Sequence, residues 1–533
     1  MSTHPPREEA TPPAAEAWAH APRAGETRAL RIETLDSDGS GIAHVHAAVG
    51  GEAQARRWRW VVEGALPGEQ VVARVEARRG KRVFAKVEGV VAASPMRVRP
   101  RCAHLDHPPY PPCGGCTLQH VDPDQQGALK SAHLVKLFAS LGVEASRWLP
   151  SQPATLPWGY RNKIELTFST DPQGDLALGF FPRGYRNEVF PLQACEIASP
   201  RMAPFVRATQ AWARDEALPP FQLRAGHGWL RNLVVRAAFG TEDLLVELIV
   251  DDVDHVDTAD GSRRCADELS CAFAERMLAT ARESGLDQTQ VFVTRHRARR
   301  GEPTQRFERA FTTPGHLDEV LRLPDGKTLT FAIQPRTFFQ TNSSQAAILV
   351  ATVLRHAGLW RAPTDDGGNA HPSSGAQRPH RVVDLYCGTG TLGLCAAHYA
   401  GEVIGVDIVP SAIEDAQRNA TRNGLAGRTT WICADVGPFL ATNEGRRSLG
   451  GADVVILDPP REGLLRVALE HLRAIAAPRL VLVSCNPTSL ARDLPGLAAL
   501  GYEVEAMEAV DMFPHTTHLE VVCSLVLRST CAR

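Results

Sequence analysis

The sequence predicts an α/β protein in three parts: a C-terminal doubly wound sheet, a middle α+β domain, and a small N-terminal β-barrel. Three observations predict it. Apolar runs of strand length alternate with helical segments after residue 380, as in a parallel sheet with crossover helices. Short β-like runs separated by turn signals fill residues 27–95, the pattern of a small barrel. Between the two, strand and helix patterns mix. At 533 residues the chain is also too long for one core, which fits about three domains.

The elements follow in order. Residues 1–26, rich in Ala, Pro and Glu, read as a disordered tail. In residues 27–95 the strands include Ala29–Leu35, Trp58–Val62 and Gln70–Val75, with turns at Asp38–Gly41 and Leu66–Glu69. Residues 96–345 form the middle domain, with strands at Ile164–Phe168 and Leu244–Val250 and a helix over Asp267–Glu283. Residues 346–533 form the last domain, interrupted at 362–380 by a low-complexity stretch that reads as a flexible insertion. Its apolar strands are Val382–Leu385, Val403–Val406, Thr429–Cys433, Val454–Leu457 and Leu480–Val483. A helix over Ser411–Gly424 carries a Ser N-cap signal, with Glu414 three residues on and a glycine near its stop.

Composition narrows the class. With 44% hydrophobic and 22% charged residues the chain reads as a soluble globular protein. No apolar run approaches a membrane span, and the N-terminus lacks the apolar core of a secretory signal, so a cytoplasmic location is expected. Net charge is −2, yet Arg28–Arg101 holds 14 Lys+Arg against 8 Asp+Glu. The charges cluster at Arg56, Arg57 and Arg59, at Arg78, Arg79, Lys81 and Arg82, and at Arg97, Arg99 and Arg101. A small basic domain on a near-neutral chain fits a phosphate-binding appendage; a solvated basic face is the plainer alternative.

Two residues carry the chemistry. Leu480–Val483 runs into Ser484-Cys485-Asn486-Pro487, which puts a thiol just past the carboxyl end of a strand, where such sheets place ligands. Glu520 begins a late apolar run and is flanked by Leu519, Val521 and Val522, an unusual setting for a solvent carboxylate. A thiol and a carboxylate near strand ends suggest a nucleophile and a base. The plain alternatives are a buried filler cysteine and a surface acid.

A nucleotide cofactor is legible in the strand ends. The first strand runs into Asp384-Leu385-Tyr386-Cys387-Gly388-Thr389-Gly390-Thr391, a glycine turn that lets backbone approach a ligand. The second ends at Asp407, placed to accept hydrogen bonds from ribose hydroxyls. The third leads to Asp435, beside an expected adenine, and the fourth to Asp458-Pro459-Pro460-Arg461. Gly388, Gly390 and Gly393 match the dinucleotide fingerprint, so spacing alone allows that cofactor. The acid before the loop and the Asp-Pro-Pro turn pull the other way: Asp384-x-x-Cys-Gly-x-Gly resembles the S-adenosylmethionine (SAM) loop of class I methyltransferases, and the choice of SAM rests mainly on resemblance.

Twelve cysteines are used unevenly. Cys102, Cys113, Cys116 and the distant Cys195 make a possible four-thiolate set, suited to an iron–sulfur cluster or structural zinc. The proline-rich gap after Cys102 makes His104 or His107 a conceivable substitute for that ligand.

From Arg28 to Arg528 the chain resembles the RNA uridine-5-methyltransferases, in particular the 23S ribosomal RNA branch with an N-terminal TRAM domain. The motifs are Gln334-Pro335-Arg336-Thr337-Phe338-Phe339-Gln340-Thr341-Asn342, then DLYCGTGTLGL, LDPPREGL, SCNPTSLARDL and DMFPHTTHLEVV. The resemblance implies a class I methyltransferase domain with a TRAM (OB-like) barrel. It implies SAM contacts from Gln340, Tyr386 and Thr391, completed by Asp407, Asp435 and Asp458. It implies Cys485 as nucleophile, Glu520 as base, and a 4Fe-4S cluster on Cys102, Cys113, Cys116 and Cys195.

The implied chemistry suits these residues. Uracil C5 is a poor nucleophile until a thiolate adds at C6 and makes the ring an enolate. After C5 takes a methyl group, a base must remove its proton so that the cysteine can leave. The target base must leave its stack to reach these groups. The expected partner is ribosomal RNA, with no membrane. The same chemistry on the T-loop uridine of transfer RNA is the alternative. An amino-group methyltransferase using the Asp-Pro-Pro loop is a third reading; Arg461 stands where such enzymes carry an aromatic.

Overall fold

The computed structural model describes residues 16–18, 20–49, 56–106, 108–171, 173–185, 188–298, 301–361 and 380–528. Most of the expected 1–26 tail, nearly all of the 362–380 insertion, and His107 lie outside these residues. The chain divides into two compact units. The smaller comprises residues up to Pro100 together with Cys116–Leu129 and His515–Thr517; the larger comprises Arg101–Gly115, Lys130–Pro514 and His518–Arg533. Among the described residues no helix is long and apolar enough to cross a membrane.

The smaller unit is built on a seven-stranded sheet. Its order is Glu16–Trp18, Gly41–Val49, Arg56–Glu63, Arg82–Ala92, Gln70–Arg79 and Thr27–Arg31, with Thr34–Leu35 paired to Gly41–Val49. Alternation makes the core: Trp58, Trp60 and Val62 point inward from one strand, Val71, Ala73 and Val75 from another. The cations of the same strands stay outside. Arg78 lies over the Trp58 ring, and Arg79 and Arg82 lie near Phe84, so the basic face carries its own aromatic supports.

The larger unit holds two seven-stranded sheets. The first runs Phe190–Pro191, Leu176–Phe180, Lys163–Thr170, Leu230–Ala237, Leu244–Asp251, Thr289–Arg297, Gln305–Ala310. Its one parallel pair, Leu244–Asp251 with Thr289–Arg297, is joined by helix Ala266–Glu283, as a parallel crossover requires. That helix and Ala203–Asp215 bury Trp212, Phe205 and Phe273 against one face of the sheet.

The second sheet has strands β1 (Arg381–Leu385), β2 (Glu402–Asp407), β3 (Thr429–Cys433), β4 (Val454–Leu457), β5 (Arg479–Ser484), β6 (Tyr502–Val510) and β7 (Glu520–Leu527). Their order is β3-β2-β1-β4-β5-β7-β6. The first five are parallel; the Val/Ile/Leu runs of β1, β2, β4 and β5 are buried between helices, while the edge strand β3 is part-exposed. The five strands expected to be parallel are so, and two further strands complete the sheet: β7 runs antiparallel to both β5 and β6. A hairpin of Leu317–Arg322 and Thr328–Ile333 and helix Ser343–His356 share this sheet's core through Phe331, Leu349 and Val353.

The helix after β2 spans Pro410–Arg422, and its cap differs from the expected Ser411. Pro410 occupies the first turn, where its missing N–H costs nothing, and Val409 is the cap residue. Asp407 Oδ1 instead accepts from Val409 N at 2.9 Å.

Candidate active site

The glycine turn after β1 is a cradle. Gly388 and Gly390 have φ of +52° and +77°, and a Cβ at Gly390 would stand 2.6 Å from the Trp431 ring. Gly388 N donates to Asp407 Oδ2 at 2.9 Å, which ties the turn to the end of β2. Thr391 starts the helix Thr391–Ala397 that follows. Thr389 Oγ1 donates to Phe338 O at 3.3 Å, so the segment bearing Gln340 lies on the same turn. Gln340 is held through its own carbonyl, which accepts from Asn162 Nδ2 at 2.8 Å. Asp435 caps the short helix Val436–Ala441 at the end of β3.

Two buried polar groups here have no hydrogen-bond partner among the described residues: the Tyr386 hydroxyl and the Asp384 carboxyl. Burial, with Asp435 and Asp493 nearby, pushes the Tyr386 phenol up to about 12. Burial beside Asp458 pushes Asp384 up to about 8. Beyond Asp407, Ile408 is 61% exposed, and Phe338 is 66% exposed, apolar surface left open at the strand ends. An orphaned hydroxyl, a cradle that a Cβ would fill, and exposed apolar walls fit an adenosyl cofactor.

A second group of residues adjoins it. β5 and β7 pair with Ser484 opposite Val521, so Cys485 and Glu520 stand together at one sheet edge. Asp458 follows β4, the other neighbour of β5, and its N donates to Leu385 O at 3.3 Å. Burial pushes the Cys485 thiol up to about 11, with the Glu520 and Asp458 carboxylates adding to the effect and Arg461 opposing it. Glu520 is 4% exposed, and burial with Asp458 alongside carries it well above the carboxylate range, again against Arg461. Burial pushes Asp458 up to about 7. The result is a thiol beside two buried carboxyl groups held above the ordinary carboxylate range, with the Arg461 guanidinium opposing the shift.

Arg461 was not singled out by sequence reasoning, beyond its departure from an aromatic. Its placement depends on tertiary bonds. Asn486 Nδ2 donates to Arg461 O at 2.9 Å, while Asn486 Oδ1 caps the helix Pro487–Ala499. Asp493 Oδ2 accepts from Leu464 N at 2.7 Å. The Asp-Pro-Pro-Arg turn is thus seated on the helix that follows Cys485.

The cysteine set is only partly assembled by what can be described. Cys102, Cys113 and Cys195 belong to the larger unit and Cys116 to the smaller. Burial raises the Cys102 thiol, and Cys113 to about 11; the charge of Cys195 adds to both. These three thiols therefore share one locale. His104 is buried in the same locale. Its Nε2 accepts from Gln193 N at 3.2 Å, and its Nδ1 lies 3.7 Å from Cys102 Sγ. Among the described residues no group of three or more His, Cys, Asp or Glu is arranged to hold a metal ion.

Comparison with known proteins agrees with this geometry. Residues 374–529 match the family model of the tRNA (uracil-5-)-methyltransferases. An RNA methyltransferase of Protochlamydia amoebophila is 34% identical over 87% of this chain and 98% of its own length. One from Caldanaerobacter subterraneus subsp. tengcongensis is 30% identical over 93% and 98%. Among solved structures, the Pyrococcus abyssi tRNA (uracil-54, C5)-methyltransferase in complex with S-adenosyl-L-homocysteine superposes with a TM-score of 0.66. It is 25% identical, and the match covers 93% of this chain and 99% of that one. With the glycine cradle, the Asp-Pro-Pro-Arg turn and the paired thiol and carboxyl already in place, the chain belongs to the RNA uracil-5-methyltransferase family, SAM-dependent enzymes of the class I fold.

Proposed function

We propose that this enzyme methylates C5 of one uridine in large-subunit (23S) ribosomal RNA, with Cys485 as nucleophile and Glu520 as base. The observation that carries the residue roles is the Ser484–Val521 register, which brings thiol and carboxyl to the same edge beside Asp458. Cys485 adds as thiolate to uracil C6, and the ring electrons it displaces make C5 the nucleophile. SAM, when bound, supplies an electrophilic methyl group. Glu520 as carboxylate then accepts the C5 proton; the C6–Sγ bond breaks, C5=C6 re-forms, and the thiolate is released. Asp458 holds the uracil edge between cofactor and thiol. Gln340, Tyr386, Thr391, Asp407, Asp435 and Asp458 hold SAM.

The basic face of the smaller unit supports a large structured RNA as partner, read as a TRAM-like module. Cys102, Cys113, Cys116 and Cys195 are proposed as 4Fe-4S ligands, supported by the shared locale of three of them. No step of the methylation runs through that cluster. The rival substrate is the T-loop uridine of transfer RNA, which the name of the Pyrococcus abyssi neighbour favours. The amino-group reading is set aside, because the family acts on carbon.

The test uses RNA bearing 5-fluorouridine with SAM. Fluorine cannot leave as a proton does, so a covalent complex should accumulate, and Cys485→Ala should abolish it. A complex that forms equally well without Cys485 refutes the nucleophile. Methyl incorporation into 23S and transfer RNA transcripts, with the modified position mapped, decides between the two substrates.

A further inference from the structure

The strand that pairs with Glu520 ends in an unusual way. In β6 the main chain is tied to β7 as far as Val510, whose register partner is Glu520. The next four residues leave the ladder, yet their carbonyls stay inside the protein and need donors. Each finds one, and each from a different side chain. Asp511 O accepts from Gln345 Nε2 at 3.0 Å, and Met512 O from Asn342 Nδ2 at 3.0 Å. Phe513 O accepts from Lys130 Nζ at 3.2 Å, and Pro514 O from the Tyr160 hydroxyl at 3.0 Å. Lys130 also bonds both Asp511 oxygens, at 2.8 and 2.9 Å.

These donors are deeply buried: Gln345 and Tyr160 are 0% exposed, Asn342 1% and Lys130 6%. They come from helix Pro123–Ala139, the segment before strand Lys163–Thr170, and the start of helix Ser343–His356. Burial alone requires donors for these carbonyls; what marks this strip is that all four come from side chains of three separate segments rather than from neighbouring backbone. Asn342 has a second attachment. It follows Gln340 by two residues and caps its helix by accepting from Gln345 N at 3.2 Å. The cofactor segment and the strip Asp511–Pro514 therefore share one anchor. By contrast, the Cys485 turn is fixed by bonds of its own, from Ser484 and Asn486.

We propose that Lys130, Tyr160 and Gln345, with Asn342 shared with the cofactor segment, are positioning residues for Glu520: they fix the strand end that registers it, and Lys130 and Tyr160 serve proton removal rather than methyl transfer. This rests on the reading of Glu520 as the base. A base must stand within hydrogen-bond reach of the proton it takes, so a small displacement slows that step steeply. Attack by Cys485 and transfer of the methyl group pass no proton to Glu520; its charge bears on the thiol, but its reach to the C5 proton matters only afterwards. Weakening the anchors therefore stalls the enzyme after methylation, with the thiol still bonded to C6.

The test is a steady-state assay of the full-length enzyme with SAM and the methyl-accepting transcript, reading the denaturation-resistant protein–RNA adduct. Tyr160→Phe removes one hydroxyl and keeps the ring; Lys130→Met is the second variant, and Glu520→Gln is the reference. Tyr160→Phe should raise the methylated adduct about tenfold over wild type, with single-turnover methyl incorporation within about twofold. If Glu520→Gln accumulates methylated adduct and neither anchor variant does, the proposal is overturned and the base stands. If Glu520→Gln accumulates none, the base reading fails and the proposal with it. Parallel loss of adduct and methyl incorporation in the anchor variants marks a purely structural role and also overturns it.

Discussion

Ser484 and Val521 face each other in antiparallel register across β5 and β7. The residue after the first is Cys485 and the residue before the second is Glu520, so one reversal of strand direction joins two groups far apart in sequence. A wholly parallel sheet would have sent the last strand's start to the opposite edge. The reversal at β7 is therefore what permits a thiol and a carboxyl to share a site, and it also keeps their charges in conflict. Burial, Asp458 and Glu520 all favour the thiol over the thiolate, and Arg461 is the opposing charge.

That conflict sets a pH dependence. With the Cys485 thiol near 11, its thiolate fraction rises about tenfold per pH unit between pH 7 and 10, and alkylation should follow. Iodoacetamide labelling of Cys485, read by peptide mass spectrometry, checks the slope. Arg461→Ala removes the opposing charge, raises the thiol further, and should slow labelling several-fold at pH 9. A rate that levels off below pH 8 contradicts the raised thiol.

The cofactor cradle depends on Gly390. Its φ of +77° disfavours any other residue, and a Cβ would stand 2.6 Å from Trp431. Alanine there should cost about 1–3 kcal/mol of strain and displace the turn from its bond to Asp407. S-adenosyl-L-homocysteine binding by calorimetry should weaken at least about tenfold. Gly427, where a Cβ meets nothing within 4 Å, is the control and should bind as the native enzyme does.

Legibility followed burial. The strands β1, β2, β4 and β5 could be read because parallel strands covered on both faces are near-continuous Val/Ile/Leu runs; the part-exposed edge strand β3 was read from its spacing, and strand ends are marked by Asp407, Asp435, Asp458 and Cys485. The direction of β7 could not be read, since an apolar run carries no mark of its partner's orientation. The cap at Ser411 misled because Pro410 one residue earlier is the stronger start, and Asp407 supplied the bond. Arg461 stood in a recognised motif, yet its main chain is held by Asn486, on another loop. The donors to Asp511–Pro514 are scattered over the chain in no local pattern, so only the folded structure collects them.

The cysteine set makes a compositional prediction. If Cys102, Cys113, Cys116 and Cys195 bind a 4Fe-4S cluster, anaerobically purified protein should carry about four iron and four sulfide per chain. Visible absorbance should accompany them, and Cys195→Ser should lose both. Protein with neither iron nor sulfide removes the cluster.

An ion cluster on β6 predicts acid sensitivity. Glu508 is 0% exposed and accepts from Arg355 at 2.9 Å and from Gln152, with His356 Nε2 at 3.2 Å. Burial alone would raise its carboxyl, but the bonds from His356, Arg355 and Gln152 outweigh it and hold Glu508 at about 2, against an ordinary value of 4.5. A carboxyl depressed on folding adds stability that is complete above its unfolded pKa and disappears as pH falls through the folded one. The contribution should therefore be full at pH 6–7 and fade between about pH 4.5 and 2. Glu508→Gln leaves Arg355 and His356 without their anion and should cost about 3 kcal/mol at pH 7. Thermal unfolding followed by circular dichroism at pH 7 and pH 3 checks the sign. The gap between wild type and Glu508→Gln should narrow at pH 3, because protonation removes from the wild type what the substitution already lacks. A gap that stays constant would mean that Glu508 stabilises the fold by shape rather than by charge.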